Sequence, residues 1–160
     1  MRIEPASEVH AEEIWKIFHE VVSTGDTYVF DPAISREDAL AYWMADATLT
    51  FVAIDGEQVV GTYILKPNHP GLGSHVANAN YMVSGRRRGS GVGAAMCEHS
   101  IQEAKSRHFT AMQFNLVVST NTGAIALWRK HGFNIVGTLP KAFRHRTLGD
   151  IDAFVMHRFL

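Results

Sequence analysis

Hydrophobic positions in this chain change period from segment to segment, and those changes divide it into helices and strands. From Glu8 to Val22 they fall at helical spacing, with Ile14, Ile17, Phe18, Val21 and Val22 along one stripe. Ser7 is placed to cap that helix, and Thr24-Gly25 to end it. Residues 2 to 6 predict a short strand ahead of it. An aromatic loop, Asp26-Thr27-Tyr28-Val29-Phe30, closes at Asp31-Pro32, and a second helix is expected after Ser35, running through Tyr42-Trp43-Met44. Leu49 to Ile54 and Val59 to Leu65 are apolar and rich in β-formers, joined by the hairpin signal Asp55-Gly56. Pro67 to Gly73 must be loop. His75 to Val83 predicts a further strand, with Val76, Asn78, Asn80 and Met82 on one face.

The second half has a different order. Ser84 to Gly91 is a turn rich in glycine and arginine. Val92 to Arg107 predicts a helix whose buried stripe is Ala94, Cys97, Ile101 and Ala104. A strand over Ala111 to Val118 and a helix over Asn121 to His131, ended by Gly132, come next. Phe133 to Leu139 and Ile151 to Phe159 predict the last two strands. The sum is an α/β fold, a mixed α+β sheet with antiparallel strands first and a strand–helix–strand–helix unit after them. With no repeat, low-complexity tract or linker, residues 1–160 are expected to form one domain.

Composition narrows the classes of partner. The formal net charge is -1 with 19% charged residues, which gives nucleic acid or an anionic membrane no reason to bind. No apolar run approaches the roughly 20 residues of a membrane span. The single cysteine, Cys97, excludes an internal disulfide and fits a reducing, cytoplasmic setting. The 9 histidines include no His-x-x-x-His pair, so no metal is expected.

The most informative stretch is Arg86-Arg87-Arg88-Gly89-Ser90-Gly91-Val92-Gly93, set between a predicted strand and a predicted helix. A helix N-terminus presents unpaired N–H groups and a positive dipole end, and glycines let an anion approach that backbone closely. Arginines beside it add charge-assisted hydrogen bonds to phosphate oxygens. The stretch reads as a pyrophosphate cradle rather than a solvated turn. No Gly-Lys-Ser/Thr follows, so it is not a Walker loop. Gly89-x-Gly91-x-x-Ala94 also fits a relaxed dinucleotide fingerprint, but it stands mid-chain and no acid lies near Phe114-Asn115, where the ribose partner belongs.

Arg88-x-x-Gly91-x-Gly93 resembles the coenzyme A signature of the GNAT N-acetyltransferase superfamily. Asn121-x-x-Ala124-x-x-Leu127-Trp128-x-Lys130-x-Gly132-Phe133 resembles the same family's later helix and turn. The resemblance implies a splayed, mostly antiparallel sheet of six to seven strands flanked by about four helices. It implies acetyl-coenzyme A as co-substrate, no metal, and dimerisation as a common trait. The amides near Met82, Val83 and Ser84 would hold the acetyl and pantetheine portions. Arg88 and the turn Gly89-Ser90-Gly91-Val92-Gly93 would hold the pyrophosphate. Asn121 would support the cofactor arm or reacting centre, and Trp128 would lie beside the pantetheine. The stretches around Asn78, Met112 to Ala124 and Val136 to His145 further resemble the yeast N-acetyltransferases of proline analogues such as L-azetidine-2-carboxylate. That likeness implies Asn78 and the Leu116 amide as receivers of a substrate carboxylate, and Asn115 and Asn121 as catalytic residues. The loop from Thr24 to Pro32 resembles that of phosphinothricin acetyltransferases.

Attack on a thioester needs a neutral amine, and freeing one of pKa near 10 at pH 7 costs about 4 kcal/mol. No acidic residue lies on the central strands, so Asn115 and Asn121 are read as holding a water that takes the proton. Trp128 stands where many family members have a tyrosine that protonates the departing thiolate, a job closed to an indole. His75, His131 and His145 are conceivable bases. Tyr28 and Phe30 are candidates to roof the substrate, and Arg144 to pair with a carboxylate or phosphate. Cys97, on the buried helix face, is rejected as a nucleophile. The leading reading is N-acetylation of a small amine, an amino acid or cyclic proline analogue. The alternatives are a coenzyme A-binding sensor without turnover, and an acetyltransferase for a phosphinothricin-like compound or a peptide N-terminus.

Overall fold

The computed structural model describes residues 1–160. Strand β1 (Arg2–Pro5) leads into a 3-10 turn, then helices α1 (Ala11–Val22) and α2 (Arg36–Trp43), then strands β2 (Leu49–Asp55), β3 (Gln58–Pro67) and β4 (Val76–Val83). Helix α3 (Val92–Ser106), strand β5 (Ala111–Val118), helix α4 (Thr122–Lys130) and strands β6 (Asn134–His145) and β7 (Gly149–Phe159) complete the chain. All seven strands form one sheet in the order β1-β2-β3-β4-β5-β7-β6. Every neighbouring pair is antiparallel except β4 and β5. The mixed, mostly antiparallel sheet of seven strands with four helices is the architecture the sequence predicted.

Strand alternation sends side chains into two cores, one on each face. On one face α1 and α2 bury Ile14, Ile17, Phe18 and Trp43 against Val52, Ile64 and Met82. Each such burial stabilises the fold by roughly 1.5–3 kcal/mol. On the other face α3 and α4 lay Met96, Cys97, Ile101 and Trp128 on Tyr63, Ala77, Ala79 and Phe114. Gly61 of β3 brings α3 close, since a Cβ there would stand 2.9 Å from both Val92 Cγ1 and Met96 Cε. Cys97 is fully buried, and burial pushes its thiol up to about 12, which leaves it inert.

Two boundaries differ from the sequence reading by more than two residues. The first helix begins as a 3-10 turn, Glu8–His10, because His10 Nδ1 accepts the Ser7 N–H at 3.1 Å and tightens the start. Strand β6 runs to His145, past Pro140, where the sequence pattern ended it at Leu139. It is the edge strand, so Pro140 withholds no ladder hydrogen bond there. The pairing with β7 shifts between Leu139 and Phe143, and Lys141 (φ 50) donates its N–H to Asp152 Oδ1.

The sheet opens between β4 and β5. They pair only at Val76–Ala111, Ala77–Met112 and Asn78–Gln113. Beyond that, aromatic rings pack over the opening: the Trp128 ring sits 4.9 Å from Tyr81 of β4 and 4.8 Å from Phe114 of β5.

Candidate functional site

The turn between β4 and α3 is built to leave donors free. Glu20 of α1 accepts the Gly85 N–H at 3.0 Å, and Arg87 is ion-paired with Asp55, which fixes the turn to α1 and β2. The first intrahelical bond of α3 runs from Ala95 N–H to Gly91 C=O. The N–H groups of Gly89, Gly91, Val92, Gly93 and Ala94 have no acceptor within the protein. Gly89 and Gly91 have φ of 77° and 86°, and a Cβ on either would point into open space. That space is where an anion can meet the donors and the positive end of a 15-residue helix.

Ser90 and Val92, assigned here from sequence, differ from their glycine neighbours. The Ser90 N–H and hydroxyl both return to the Arg87 carbonyl, at 3.3 and 2.6 Å, and Ser90 is not on the cleft wall. Val92 contributes only its N–H, because its side chain is buried beneath the turn.

From this turn a cleft of about 470 Å³ follows the gap between β4 and β5. Arg88, Gly89, Gly91 and Gly93 border one end, and Thr27, Tyr28, Asn121 and Trp128 the other. A smaller cavity of about 100 Å³ lies beyond, carrying Asn80 and Leu116 on its wall. The two share Thr27, Tyr28, Tyr81, Asn121, Ala124 and Trp128, so they meet at that partition. Ala94, expected in the buried stripe of α3, is half-buried and borders the cleft instead.

Strand parity decides which main-chain groups of β4 face the gap. Ser84 donates its N–H to the Val60 carbonyl on the β3 side. Alternation turns the N–H and C=O of Met82 the same way, and those of Tyr81 and Val83 towards the gap. Of Met82, Val83 and Ser84, therefore, only Val83 offers its amide to the cleft. Ser84 faces a separate groove beside α1. Tyr81, not singled out in the sequence, has its N–H and C=O engaged by a single group. The Tyr28 hydroxyl accepts that N–H at 3.0 Å and donates to that C=O at 2.6 Å. Tyr28 thus offers only its ring to a ligand.

The asparagines separate into two groups. Asn121 caps α4, its Oδ1 accepting the Ala124 N–H at 3.2 Å, and the residue lines both cavities. Asn78 is buried and on neither cavity wall; its Nδ2 donates to the Gln113 carbonyl and its Oδ1 accepts from Asn80. It clasps β5 at the last paired position and orients Asn80, which does reach the small cavity. Asn115 is exposed and lines neither cavity. Its amide bonds Asn68 at 2.7 Å and Gln113 at 2.9 Å. Of the four, Asn80 and Asn121 line the cavities, and Asn78 and Asn115 do not.

No Asp, Glu or His lines the cleft or the small cavity. His131 Nδ1 lies 2.9 Å from the Leu127 carbonyl, and His145 Nδ1 accepts from the Thr147 and Leu148 N–H groups, so both are turn-forming. His75 is exposed. Arg144 is paired with Asp150 on the surface. Burial raises the phenols of Tyr28 and Tyr81 above their ordinary value, so both stay neutral at physiological pH. No helix of the chain is long and apolar enough to cross a membrane.

A model described as the acetyltransferase (GNAT) family matches residues 11–133. A solved GCN5-related N-acetyltransferase from Kribbella flavida is 42% identical, with a TM-score of 0.95 over 99% of this chain and 97% of that one. A relative named N-acetyltransferase aca1, from Schizosaccharomyces pombe, is 27% identical over 84% of this chain and 72% of its own length. A phosphinothricin acetyltransferase from Sinorhizobium meliloti, solved in complex with acetyl-coenzyme A, shares the fold at 19% identity, with a TM-score of 0.88 over 99% of this chain and 88% of that one.

Proposed function

Since this chain belongs to the acetyltransferase (GNAT) family, we propose that residues 1–160 form one domain that moves the acetyl group of acetyl-coenzyme A to a small amine. We take that amine to be an amino acid or cyclic proline analogue. The observation that carries this reading is the set of unpartnered N–H groups from Gly89 to Ala94 at the mouth of a cleft that ends against a small cavity.

The residues present suit coenzyme A. Gly89, Gly91, Val92, Gly93 and Ala94 would donate to the diphosphate, and Arg88 would add charge. Val83 would pair with the amide-bearing arm, as a third strand edge does. Leu127 and Trp128 give that arm an apolar wall. Asn121 Nδ2 and the Thr27 side chain stand where the acyl end meets the acceptor. Acetyl-coenzyme A supplies an activated thioester. The amine lone pair forms the new C–N bond, the C–S bond breaks, coenzyme A leaves as thiolate, and the amine proton passes to water.

The small cavity measures about 100 Å³. That favours the compact head of an amino acid over a peptide. Asn80 and the Leu116 main chain on its wall are the groups we assign to a carboxylate. The likeness of the asparagine-bearing strands to proline-analogue N-acetyltransferases supports the same acceptor class. A second reading, a coenzyme A-binding sensor, draws on the absence of an acidic or histidine base from the lining and on Trp128 in place of tyrosine. Free thiol release over a panel of proline analogues, small amino acids and peptides separates the two. Turnover is expected with the first group, and coenzyme A binding without thiol release from any amine would establish the sensor.

The lining predicts a specific pH profile. Tyr28 and Tyr81 are held neutral and no carboxylate or imidazole lines the cleft, so the only proton that matters belongs to the acceptor. Its neutral fraction rises tenfold per pH unit below its pKa. The logarithm of kcat/KM is therefore expected to climb with a slope of about one up to the amine's own pKa. A plateau beginning between pH 6 and 7 would reveal a protein base and contradict this account.

A further inference from the structure

In the partition between the two cavities, the Tyr28 side chain is fixed by hydrogen bonds to the main chain of β4. Tyr28 comes from the loop between α1 and α2, 53 residues away from its partner, and its hydroxyl occupies both the N–H and the C=O of Tyr81. It thereby supplies the pairing that β5 would have given β4 had the strands stayed together. Its ring stacks on Phe30 at 6.1 Å, and Phe30 packs on Phe18 of α1 at 5.1 Å. The loop is also tied at Gly25, whose carbonyl accepts the Arg146 N–H at 3.0 Å from the β6–β7 turn. A side chain bonded at its tip and stacked along its length cannot swing aside as a free surface tyrosine does.

We propose that Tyr28 is the wall that limits the length of the acyl group, making the cleft selective for a two-carbon acyl donor. This rests on the reading of the cleft as the acyl-donor site. A donor anchored at Gly89 to Ala94 runs along the Val83 edge, and its acyl end arrives at the partition, where Tyr28 faces both cavities. An acetyl group ends there. A longer acyl chain must displace the pinned ring or enter the acceptor's cavity.

In an open apolar pocket each added methylene strengthens binding by about fourfold. Against a fixed wall the sign reverses. Calorimetry with coenzyme A, acetyl-coenzyme A and butyryl-coenzyme A reads this without turnover. The wild type is expected to bind the butyryl thioester about tenfold or more weakly than the acetyl thioester. Tyr28→Ala, which removes wall and pin, should bring the two to parity or invert them. Tyr28→Phe, which keeps the ring but frees it from Tyr81, should narrow the gap by about threefold. Unacylated coenzyme A, measured in each protein, is the reference against which both thioesters are read, so that any change common to the whole cleft cancels in the ratio. A wild type that takes butyryl at least as tightly as acetyl would overturn the proposal, as would a Tyr28→Ala ratio equal to the wild type's. If the alanine variant does not fold, Tyr28→Phe decides alone, and an unchanged ratio there counts against the pinned wall. Failure of coenzyme A itself to bind the wild type would remove the donor-cleft reading and this proposal with it. Normal coenzyme A binding with no acyl discrimination removes this proposal only.

Discussion

Replacing Gly91 by aspartate is expected to weaken acetyl-coenzyme A binding by about a hundredfold or more while the protein stays folded. Gly91 sits at the start of α3 with φ 86°, a backbone that aspartate tolerates better than most L-residues. Nothing lies within 4 Å of where its Cβ would project. The helix therefore keeps its start, and the melting temperature should fall by only a few degrees, at about 2–4 °C per kcal/mol. The ligand meets a different surface. The new carboxylate stands among the donors of Gly89 to Ala94, where the diphosphate would sit. Two like charges about 4 Å apart at an effective dielectric of about 20 repel by about 4 kcal/mol, and Arg88 offsets part of this. A hundredfold loss is about 2.7 kcal/mol, so it lies within what repulsion alone supplies. Gly91→Ala separates the causes, since it brings the backbone strain without the charge and should lose far less affinity. Binding within threefold of wild type in Gly91→Asp would mean that the diphosphate is held elsewhere.

The same turn shows what a sequence can carry. Its glycines, its arginines and the helix behind it are local features, and the strand and helix periods around it were readable for the same reason. Which donors are available was not local. Ser84 and Ser90 belong to the turn by sequence, yet the Val60 and Arg87 carbonyls take their N–H groups. Parity with the β3 pairing was the one clue in reach, and it selects Val83 over its two neighbours. The asparagines teach the same lesson. Alternation correctly placed Asn78 and Asn80 on one face, but their partners are Gln113 of β5 and each other. Asn115 looked catalytic by resemblance, and a contact with Asn68, 47 residues away, occupies it. Tyr28 lay in an aromatic loop with no period to read. Its role depends on β4 and β5 parting at Asn78–Gln113, an event that no window of sequence contains.

Asn121 is the residue for which a structural duty and a chemical one must be pulled apart, and two substitutions do so. Its Oδ1 caps α4 through the Ala124 N–H. The residue also lines both cavities, and its Nδ2 takes no part in the cap. Asn121→Ala removes both. Loss of such a cap costs about 1 kcal/mol, so the melting temperature should drop by about 2–4 °C. Asn121→Asp keeps a capping oxygen, and its charge suits a helix N-terminus, so stability should hold or rise slightly. The aspartate nevertheless loses both N–H donors and, on the proposed reading, would place negative charge where the thioester oxygen gains its own. Removing one donor to a developing oxyanion lowers kcat by about 100- to 1000-fold, and Asn121→Asp should fall in or below that range. Acetyl-coenzyme A affinity should change little in either variant, because the main anchor lies at the far end of the cleft. The comparison turns on the aspartate protein. A residue that only capped α4 would leave it fully active, with the alanine variant merely less stable. Full thermal stability combined with lost turnover means that the side-chain atom the cap does not use stands beside the reacting groups.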